Sequence, residues 1–269
     1  MRHLAAAALV GALLVAPACA HAEQWEPDIA GAARWAAARQ GSITFAVRTE
    51  DRLRGRGVDR RVPSASVFKA MLLVTYLRQA GVRDRGLTSG DRALLAPMIR
   101  RSDNVAATRV RDIVGNAAVV RLASRAGMTR FLIRQIWGLS LVTARDQTRF
   151  FLQIDQFVPE RHRDYARRLL RTIVPSQRWG MAQVIPDGWQ LYFKGGWGSG
   201  TGAVDHQVGL LERGQDRVAV AILTVNSPSH AYGKATLKGV AKRLFAGLGR
   251  ELVGTAVEAD GTVNETGRP

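Results

Sequence analysis

The spacing of hydrophobic residues changes twice along the chain. Near the start, "SITFAVRT" has the β-branched and aromatic composition of a strand, and "QLYFKGGWG", "GAVDHQVGLLE" and "RVAVAILTV" repeat this pattern late in the chain. The segments between them have the spacing of amphipathic helices, and "HAYGKATLKGVAKRLFAGL" predicts a closing helix. The pattern therefore predicts one sheet assembled from both ends of the chain. A helical subdomain, about residues 66–185, packs against it across a cleft.

The two ends of the chain lack this pattern. The first residues combine a basic start, an apolar run and the small-residue sequence "ACA", which predicts an export signal and a secreted or cell-envelope protein. Cleavage after Ala20 or Ala22 is the favoured interpretation, and lipid attachment at Cys19, the single cysteine, is the alternative. The predicted division is an export signal at 1–22, a folded domain at 23–253 and a mobile tail at 254–269.

The composition adds a strong positive charge, +17 for 269 residues. Such a charge attracts polyanions, among them nucleic acids, anionic lipids and phosphate-bearing wall polymers. The arginines are spread along the whole chain, however, without the basic stripe interleaved with aromatic residues that nucleic-acid binders show. We therefore expect no nucleic-acid partner. General surface charge is the favoured interpretation, and adhesion to an anionic wall polymer or membrane surface is the alternative.

Lysine is rare in this chain, with only five among the 39 basic residues. Lys234, Lys238 and Lys242 recur every four residues, as on the exposed face of a helix. Lys69 and Lys194 do not belong to such a face. Because a desolvated lysine can lose its proton and an arginine in practice cannot, these two lysines are candidates for chemistry.

Ser66 and Lys69 open the most apolar predicted helix, residues 66–79. A spacing of three residues places the serine oxygen and the lysine nitrogen on one face of a helix, within reach of each other. The amide groups at the helix start can also bind an anion. A neutral lysine at this place can take the proton of the serine and make it a nucleophile. Taken alone, the pattern is more typical of a helix cap beside a surface lysine.

Two further short motifs follow. Ser102, Asp103 and Asn104 come at the end of a predicted helix, where such residues also serve as ordinary caps. Lys194 is followed by Gly195 and Gly196 at the end of the strand "QLYF", and two glycines there allow a ligand to approach the strand edge closely. A bulge beside a solvated lysine is the alternative for this second motif.

The histidines do not form a competing catalytic triad in the sequence. Asp205 and His206 are adjacent in a predicted strand and point to opposite faces, so they cannot pair with each other. His162 lies on an amphipathic helix, and His230 opens the last helix. The spacing of these residues is not that of metal ligands, so we expect no metal and interpret them as structural.

The three motifs occur in the order S-x-x-K, S-D-N and K-x-G, which resembles the motif set of class A β-lactamases and penicillin-binding proteins. The surrounding segments "PSASVFKAMLLVTYLRQ", "LTSGDRALLAPMIRRSDNVAATRV", "IPDGWQLYFKGGWG" and "HQVGLL" are similar to this family too, from about residue 41 to 248. The resemblance implies an α/β (α+β) fold: a five-stranded antiparallel sheet flanked by helices, plus an all-α subdomain. It calls for no cofactor, and we expect a monomer.

The resemblance also implies roles for individual residues. Ser66 becomes the nucleophile, Lys69 its general base and Ser102 the relay that protonates the leaving nitrogen. The oxyanion hole consists of the backbone N–H groups of Ser66 and Trp197. The remaining substrate-binding residues are Asn104 for the substrate amide, Lys194 for its carboxylate, and Gly195 and Gly196 along the strand edge.

The chain departs from the family at the loop that follows the "MTRF" segment. In class A β-lactamases this Ω-loop carries the glutamate that activates water for deacylation. Here "LIRQIWGLSLV" contains no acid, the nearest being Asp146 in the next helix, where we expect it to cap or to pair with an arginine. The interval from Ser66 to Ser102 is also short for the family, and Gly195 replaces the usual threonine or serine.

These departures leave the function open in one respect. The favoured hypothesis is a serine hydrolase that is acylated by β-lactams at Ser66 and releases the acyl group slowly. A D-alanyl-D-alanine peptidase or an esterase would share every motif. A non-catalytic protein that binds a cell-wall peptide in the same cleft is the alternative from another class.

Overall fold

The computed structural model describes residues 25–249. The predicted export signal, Cys19 and the predicted mobile tail lie outside the described residues. The strands are Ser42–Arg48 (β1), Leu53–Arg56 (β2), Val62–Pro63 (β3), Leu141–Val142 (β4), Gln190–Gly198 (β5), Val204–Arg213 (β6) and Asp216–Val225 (β7). The α-helices are Ile29–Ala37 (α1), Phe68–Leu77 (α2), Ala80–Arg83 (α3), Ser89–Arg100 (α4), Asn104–Arg125 (α5), Ala144–Leu152 (α6), Ile154–Phe157 (α7), Arg163–Arg171 (α8) and His230–Leu244 (α9). Short 3-10 helices lie at Ala65–Val67, Trp137–Leu139, Glu160–His162, Pro175–Gln177, Gly180–Gln183 and Ser199–Thr201.

Five strands form one antiparallel sheet in the order β2-β1-β7-β6-β5. The central pairing joins Ser42 to Val225 and Arg48 to Ala219, so the two ends of the described chain meet in the middle of the sheet. The predicted sheet, antiparallel and assembled from both chain ends, is therefore confirmed. A second, two-stranded sheet pairs β3 with β4 and was not predicted, because each strand has only two residues.

Helices cover both faces of the large sheet. Asp205 and Gln207 of β6 point towards α9 and the Gly180–Gln183 turn, where they bond with His230 and the amide of Met181. The alternate residue, His206, points to the opposite face. On that face Arg48 of β1 bonds Thr148 of α6.

Helix α2 is the fully buried helix of the helical part. All ten residues of α2 are buried, as expected for a helix that is apolar on every side, and Lys69 is the one charged residue among them. Helix α4 begins with a capping box between Thr88 and Asp91. Helix α5 is kinked at Gly115, whose φ of 72° is left-handed. None of the helices between residues 25 and 249 has the length and apolar character needed to cross a membrane.

His206 fixes β6 to the chain just before the site. Its Nε2–H donates to the carbonyl of Pro63 at 2.8 Å, and its Nδ1 accepts from the amide of Thr224 at 3.1 Å. Complete burial lowers the pKa of His206 to about 4, against the pull of its hydrogen bond to Pro63. The neutral ring is therefore the form that the fold requires.

Acid should destabilise the protein through His206. The pKa is lower in the folded chain, so its contribution is full above the unfolded value of about 6.5 and is lost as the pH falls towards 4. The shift corresponds to a loss on the order of 3 kcal/mol in the free energy of unfolding. Denaturant titrations of the wild type and His206→Gln at pH 7 and pH 4 measure this loss. An equal loss in both proteins would show that the acid-induced destabilisation does not come from His206.

Candidate active site

Ser66 lies in the short 3-10 helix that precedes α2 and is 8% exposed. The residue before it, Ala65, has a left-handed φ of 43°, which costs a non-glycine residue about 1–3 kcal/mol. The amide of Ser64 donates to the carbonyl of Ser140 at 2.7 Å, and Ser64 Oγ reaches the carbonyl of Trp137 at 3.3 Å. The surrounding loops thus hold the turn that presents the serine.

Lys69, one helical turn after Ser66, is completely buried and is surrounded by polar atoms. Its Nζ lies 2.5 Å from the carbonyl of Ser102, 3.1 Å from Ser102 Oγ and 2.7 Å from Asn104 Oδ1. The ammonium form donates to all three oxygens, and the neutral amine, with two N–H groups, donates to two of them. Burial lowers the pKa of Lys69 to about 7, and the nearby carboxylate of Asp103 acts in the opposite direction. Near neutral pH a large fraction of Lys69 is therefore an uncharged amine, able to accept a proton.

Ser102 joins two lysines. Lys194 Nζ donates to Ser102 Oγ at 3.1 Å, the same distance as Lys69 Nζ, and to the carbonyl of Gly195 at 2.7 Å. Lys194 is also completely buried, and burial together with the charge of Lys69 holds its pKa well below the usual range. Because Ser102 connects the two amines, the arrangement can pass a proton between them.

The local structure explains how Ser102 reaches this place. It lies between the end of α4 and Asp103, whose side chain caps α5 by accepting from the amide of Ala106 at 2.7 Å. Its left-handed φ of 58° reverses the chain, and as a result both its carbonyl and its Oγ face Lys69. Strained backbone of this kind is common at functional sites.

Strand β5 passes the start of α2 at van der Waals distance. A Cβ atom on Gly196 would lie 2.8 Å from the amide nitrogen of Ser66 and 2.9 Å from that of Val67, so only glycine fits. Trp197 is the residue of β5 that follows this contact, and its N–H and that of Ser66 are the two donors that the resemblance expects in the oxyanion hole. A Cβ atom on Gly195 would lie at ordinary van der Waals distance from the ring of Trp179, 3.6 Å away.

The structure joins four of the sequence-predicted residues, Lys69, Ser102, Asn104 and Lys194, in one hydrogen-bonded group, and it places Ser66 one helical turn before Lys69 and against Gly196 of β5. Asn104 is bonded to Lys69, and Lys194 is bonded to Ser102 and Gly195. The described residues contain no cluster of three or more His, Cys, Asp or Glu side chains suited to a metal ion.

Sequence reasoning missed two parts of this region. The first is Trp137, whose ring centre lies 5.1 Å from Lys69 Nζ and which stacks on Phe68. The second is a pair between Asp205 and His230, with Nδ1 and Oδ1 2.5 Å apart. The opposite directions of Asp205 and His206 were predicted correctly, but the partner of Asp205 is 25 residues away in α9. Only the position of His230 at a helix start next to the sheet could have suggested it.

Comparisons with known proteins identify the family and the fold. A family model described as the β-lactamase enzyme family matches residues 84–248, which include Ser102 and Lys194 but not Ser66 and Lys69. Comparison with curated protein sequences gives no significant match.

Solved structures with the same fold extend over more of the chain. A β-lactamase from Sphaerobacter thermophilus has a TM-score of 0.70 at 19% identity, covering 80% of this chain and 96% of its own. A β-lactamase from Xanthomonas campestris has a TM-score of 0.71 at 14% identity, covering 82% and 97%. A mutant of PBP-A in an acyl-enzyme complex with penicillin G has a TM-score of 0.69 at 16% identity, covering 82% and 96%. At these identities the structures establish the fold, and the family match covers more than half of the chain. The chain belongs to the β-lactamase enzyme family.

Proposed function

We propose that the protein is a serine acyl-transfer enzyme that β-lactams acylate at Ser66 and that releases the acyl group slowly. The observation that carries the proposal is the convergence of two buried lysines, Lys69 and Lys194, on Ser102 Oγ, with Lys69 one helical turn after Ser66. A lysine with a surface or capping role would keep its ammonium group in water, because complete burial of that charge costs free energy. Buried lysines with a lowered pKa are instead typical of functional sites.

The proposed acylation uses these groups in sequence. Ser66 Oγ attacks the lactam carbonyl carbon, and its proton passes to the neutral amine of Lys69. The backbone N–H groups of Ser66 and Trp197 stabilise the negative charge on the carbonyl oxygen. The carbon–nitrogen bond then breaks, and the leaving nitrogen takes a proton through Ser102, which Lys69 or Lys194 replenishes. The product is an ester between the opened lactam and Ser66.

The surroundings of Lys69 support slow release. Among the described residues, its hydrogen-bond partners are Ser102 and Asn104, and the loop that follows the "MTRF" segment contributes the indole of Trp137. Asp146, the nearest acid of that region in sequence, is occupied elsewhere, accepting from the amide of Arg130 at 2.9 Å. The side chain of this loop that lies near Lys69 is thus an indole and not a carboxylate that could activate water, and losing a general base costs about 10²–10⁴ in rate.

A D-alanyl-D-alanine peptidase or esterase remains the second candidate. The fold of PBP-A and the fold of this chain are similar, and a PBP-A mutant forms an acyl-enzyme with penicillin G. Such an enzyme needs the same acylating groups. It differs only in the acyl donor that it uses and in the acceptor that ends the reaction.

One experiment separates these functions. The protein is incubated with penicillin G and with a chromogenic cephalosporin, and intact mass and colour are followed with time, with Ser66→Ala as the control. We expect an adduct with the mass of the intact drug that persists over many minutes and is absent in Ser66→Ala. Fast colour development without a stable adduct would contradict slow release. Neither adduct nor colour would favour an esterase or a non-catalytic binding protein. A D-alanyl-D-alanine peptidase would also form the persistent adduct, and release of D-alanine from D-alanyl-D-alanine peptides distinguishes it.

A further inference from the structure

The backbone that carries the second oxyanion donor is rich in glycine. Residues 195–202 read "GGWGSGTG", with five glycines among eight residues. Each glycine costs about 0.5–1 kcal/mol relative to alanine when a strand is ordered, because its backbone loses more freedom. This segment therefore has little intrinsic preference for one conformation. Trp197 is its only large side chain, and it is the residue whose N–H must be held in place.

The indole of Trp197 is packed against two other rings. The imidazole of His230 stacks on it with ring centres 5.9 Å apart and planes 28° apart. Trp179 meets Trp197 edge to face at 5.8 Å and meets His230 edge to face at 5.3 Å. Aromatic pairs at such distances contribute about 0.5–1.5 kcal/mol beyond the area that they bury. The three rings therefore form one cluster on the α9 side of β5.

Hydrogen bonds fix both partners of Trp197. His230 Nδ1 lies 2.5 Å from Oδ1 of Asp205, which is buried and directly opposite Trp197 in the strand register. The space for this carboxylate depends on Gly233, because a Cβ there would lie 1.8 Å from Asp205 Oδ2.

Trp179 is held in a similar way by Gln207. The side-chain amide of Gln207 donates to the carbonyl of Trp179 at 2.7 Å, and its oxygen accepts from the amide of Met181 at 2.7 Å. Gln207 lies opposite Gly195 in the register. Asp205 and Gln207 both belong to β6, the strand paired with β5. Through His230 and Trp179 they fix the two rings that pack against the indole of Trp197.

We propose that Asp205 and His230 are positioning residues that hold the indole of Trp197 and thereby keep its backbone N–H in place for the acylation of Ser66. The inference rests on the proposed function, since it assigns the pair to the oxyanion hole. His230 acts through ring stacking and Asp205 through the orientation of that ring. Neither residue needs to contact the substrate.

The test compares His230→Ala, which removes the ring, with His230→Phe, which keeps the stacking surface but has no nitrogen. Lys238→Ala, on the same helix, is the matched control. The acylation rate constant and the dissociation constant of the preceding complex are measured separately, with penicillin G and with its neutral methyl ester. Hydrogen exchange of residues 194–203 is followed by mass spectrometry in the absence of substrate. The melting temperature of each variant shows that it is folded.

We expect His230→Ala to acylate about 10- to 100-fold more slowly, less than the 10²–10³ cost of deleting an oxyanion donor outright, with little change in the dissociation constant. Exchange of residues 194–203 should accelerate in the same variant. His230→Phe should fall between His230→Ala and the wild type in both measurements, because it retains the ring contact but loses the hydrogen bond through which Asp205 orients the ring.

Other results overturn the proposal. If His230→Phe is as slow as His230→Ala with penicillin G but normal with the methyl ester, the imidazole binds the substrate carboxylate directly. If His230→Ala equals the wild type in rate and exchange, the cluster does not position the donor. A wild type that does not acylate contradicts the proposed function instead, and the exchange measurement then still decides whether His230 holds this segment.

Discussion

Replacing Lys69 with arginine is expected to slow the acylation of Ser66 by about 10²–10⁴-fold, the usual contribution of a general base. Arginine keeps the positive charge and the hydrogen-bonding capacity of the lysine but cannot give up its proton in a protein. The substitution therefore separates the role of a base from that of a cation. The measurement is the rate of adduct formation with penicillin G, followed by intact mass.

The pH dependence of the wild type gives an independent check. The neutral amine is the reactive form, so the acylation rate should rise with pH, pass its midpoint at about 7 and level off above it. The rise should disappear in Lys69→Arg. Lys238→Arg, at an exposed position of α9, is the control for the same substitution away from the site. A fast Lys69→Arg enzyme with an unchanged pH profile would exclude Lys69 as the base.

Replacing Trp137 with glutamate is expected to shorten the lifetime of the acyl-enzyme. The indole lies over Lys69 Nζ at 5.1 Å, so a carboxylate on the same backbone would enter the surroundings of Lys69 and could activate a water molecule. The expected acceleration is up to about 10²–10⁴-fold relative to Trp137→Gln, which has the same size but is not a base. The loss of the penicillin adduct after removal of excess drug measures it.

The same substitution should also change the pKa of Lys69. A negative charge beside Lys69 favours its protonated form and raises its pKa. The midpoint of the acylation profile should therefore move to higher pH in Trp137→Glu and stay in place in Trp137→Gln. If both variants release the acyl group at the same rate, the slow step does not depend on a missing base.

Much of this site could be predicted because its chemistry depends on short motifs. The spacing of Ser66 and Lys69 is fixed by one helical turn, and the contrast between rare lysines and abundant arginines marks Lys69 and Lys194. The assembly of one sheet from both chain ends follows from hydrophobic patterns that differ between the ends and the middle of the chain, and its antiparallel arrangement follows from the family resemblance. These are local properties, and local properties are visible in a sequence.

The parts that were missed depend on contacts between distant segments. Trp137 belongs to a loop with no regular pattern, and nothing local indicates that its ring lies over Lys69. Asp205 and His230 come together only because a strand and a helix pack with Gly233 between them. Such pairs arise from tertiary packing, which composition and periodicity do not encode.

The pairing of β1 with β7 also determines when the protein can become active. The partners Arg48 and Ala219 are separated by 171 residues, and such long-range contacts form late because closing a long loop costs entropy before any contact forms. At a synthesis rate of about 5–20 residues per second, β1 would wait roughly 10–35 seconds for its neighbour in the sheet. The helices that carry Ser66 and Ser102 are made early, whereas β5, which completes the cleft with Lys194, needs β6 and β7 beside it. A ribosome-bound chain that stops before β7 would therefore contain the nucleophile without a working cleft around it.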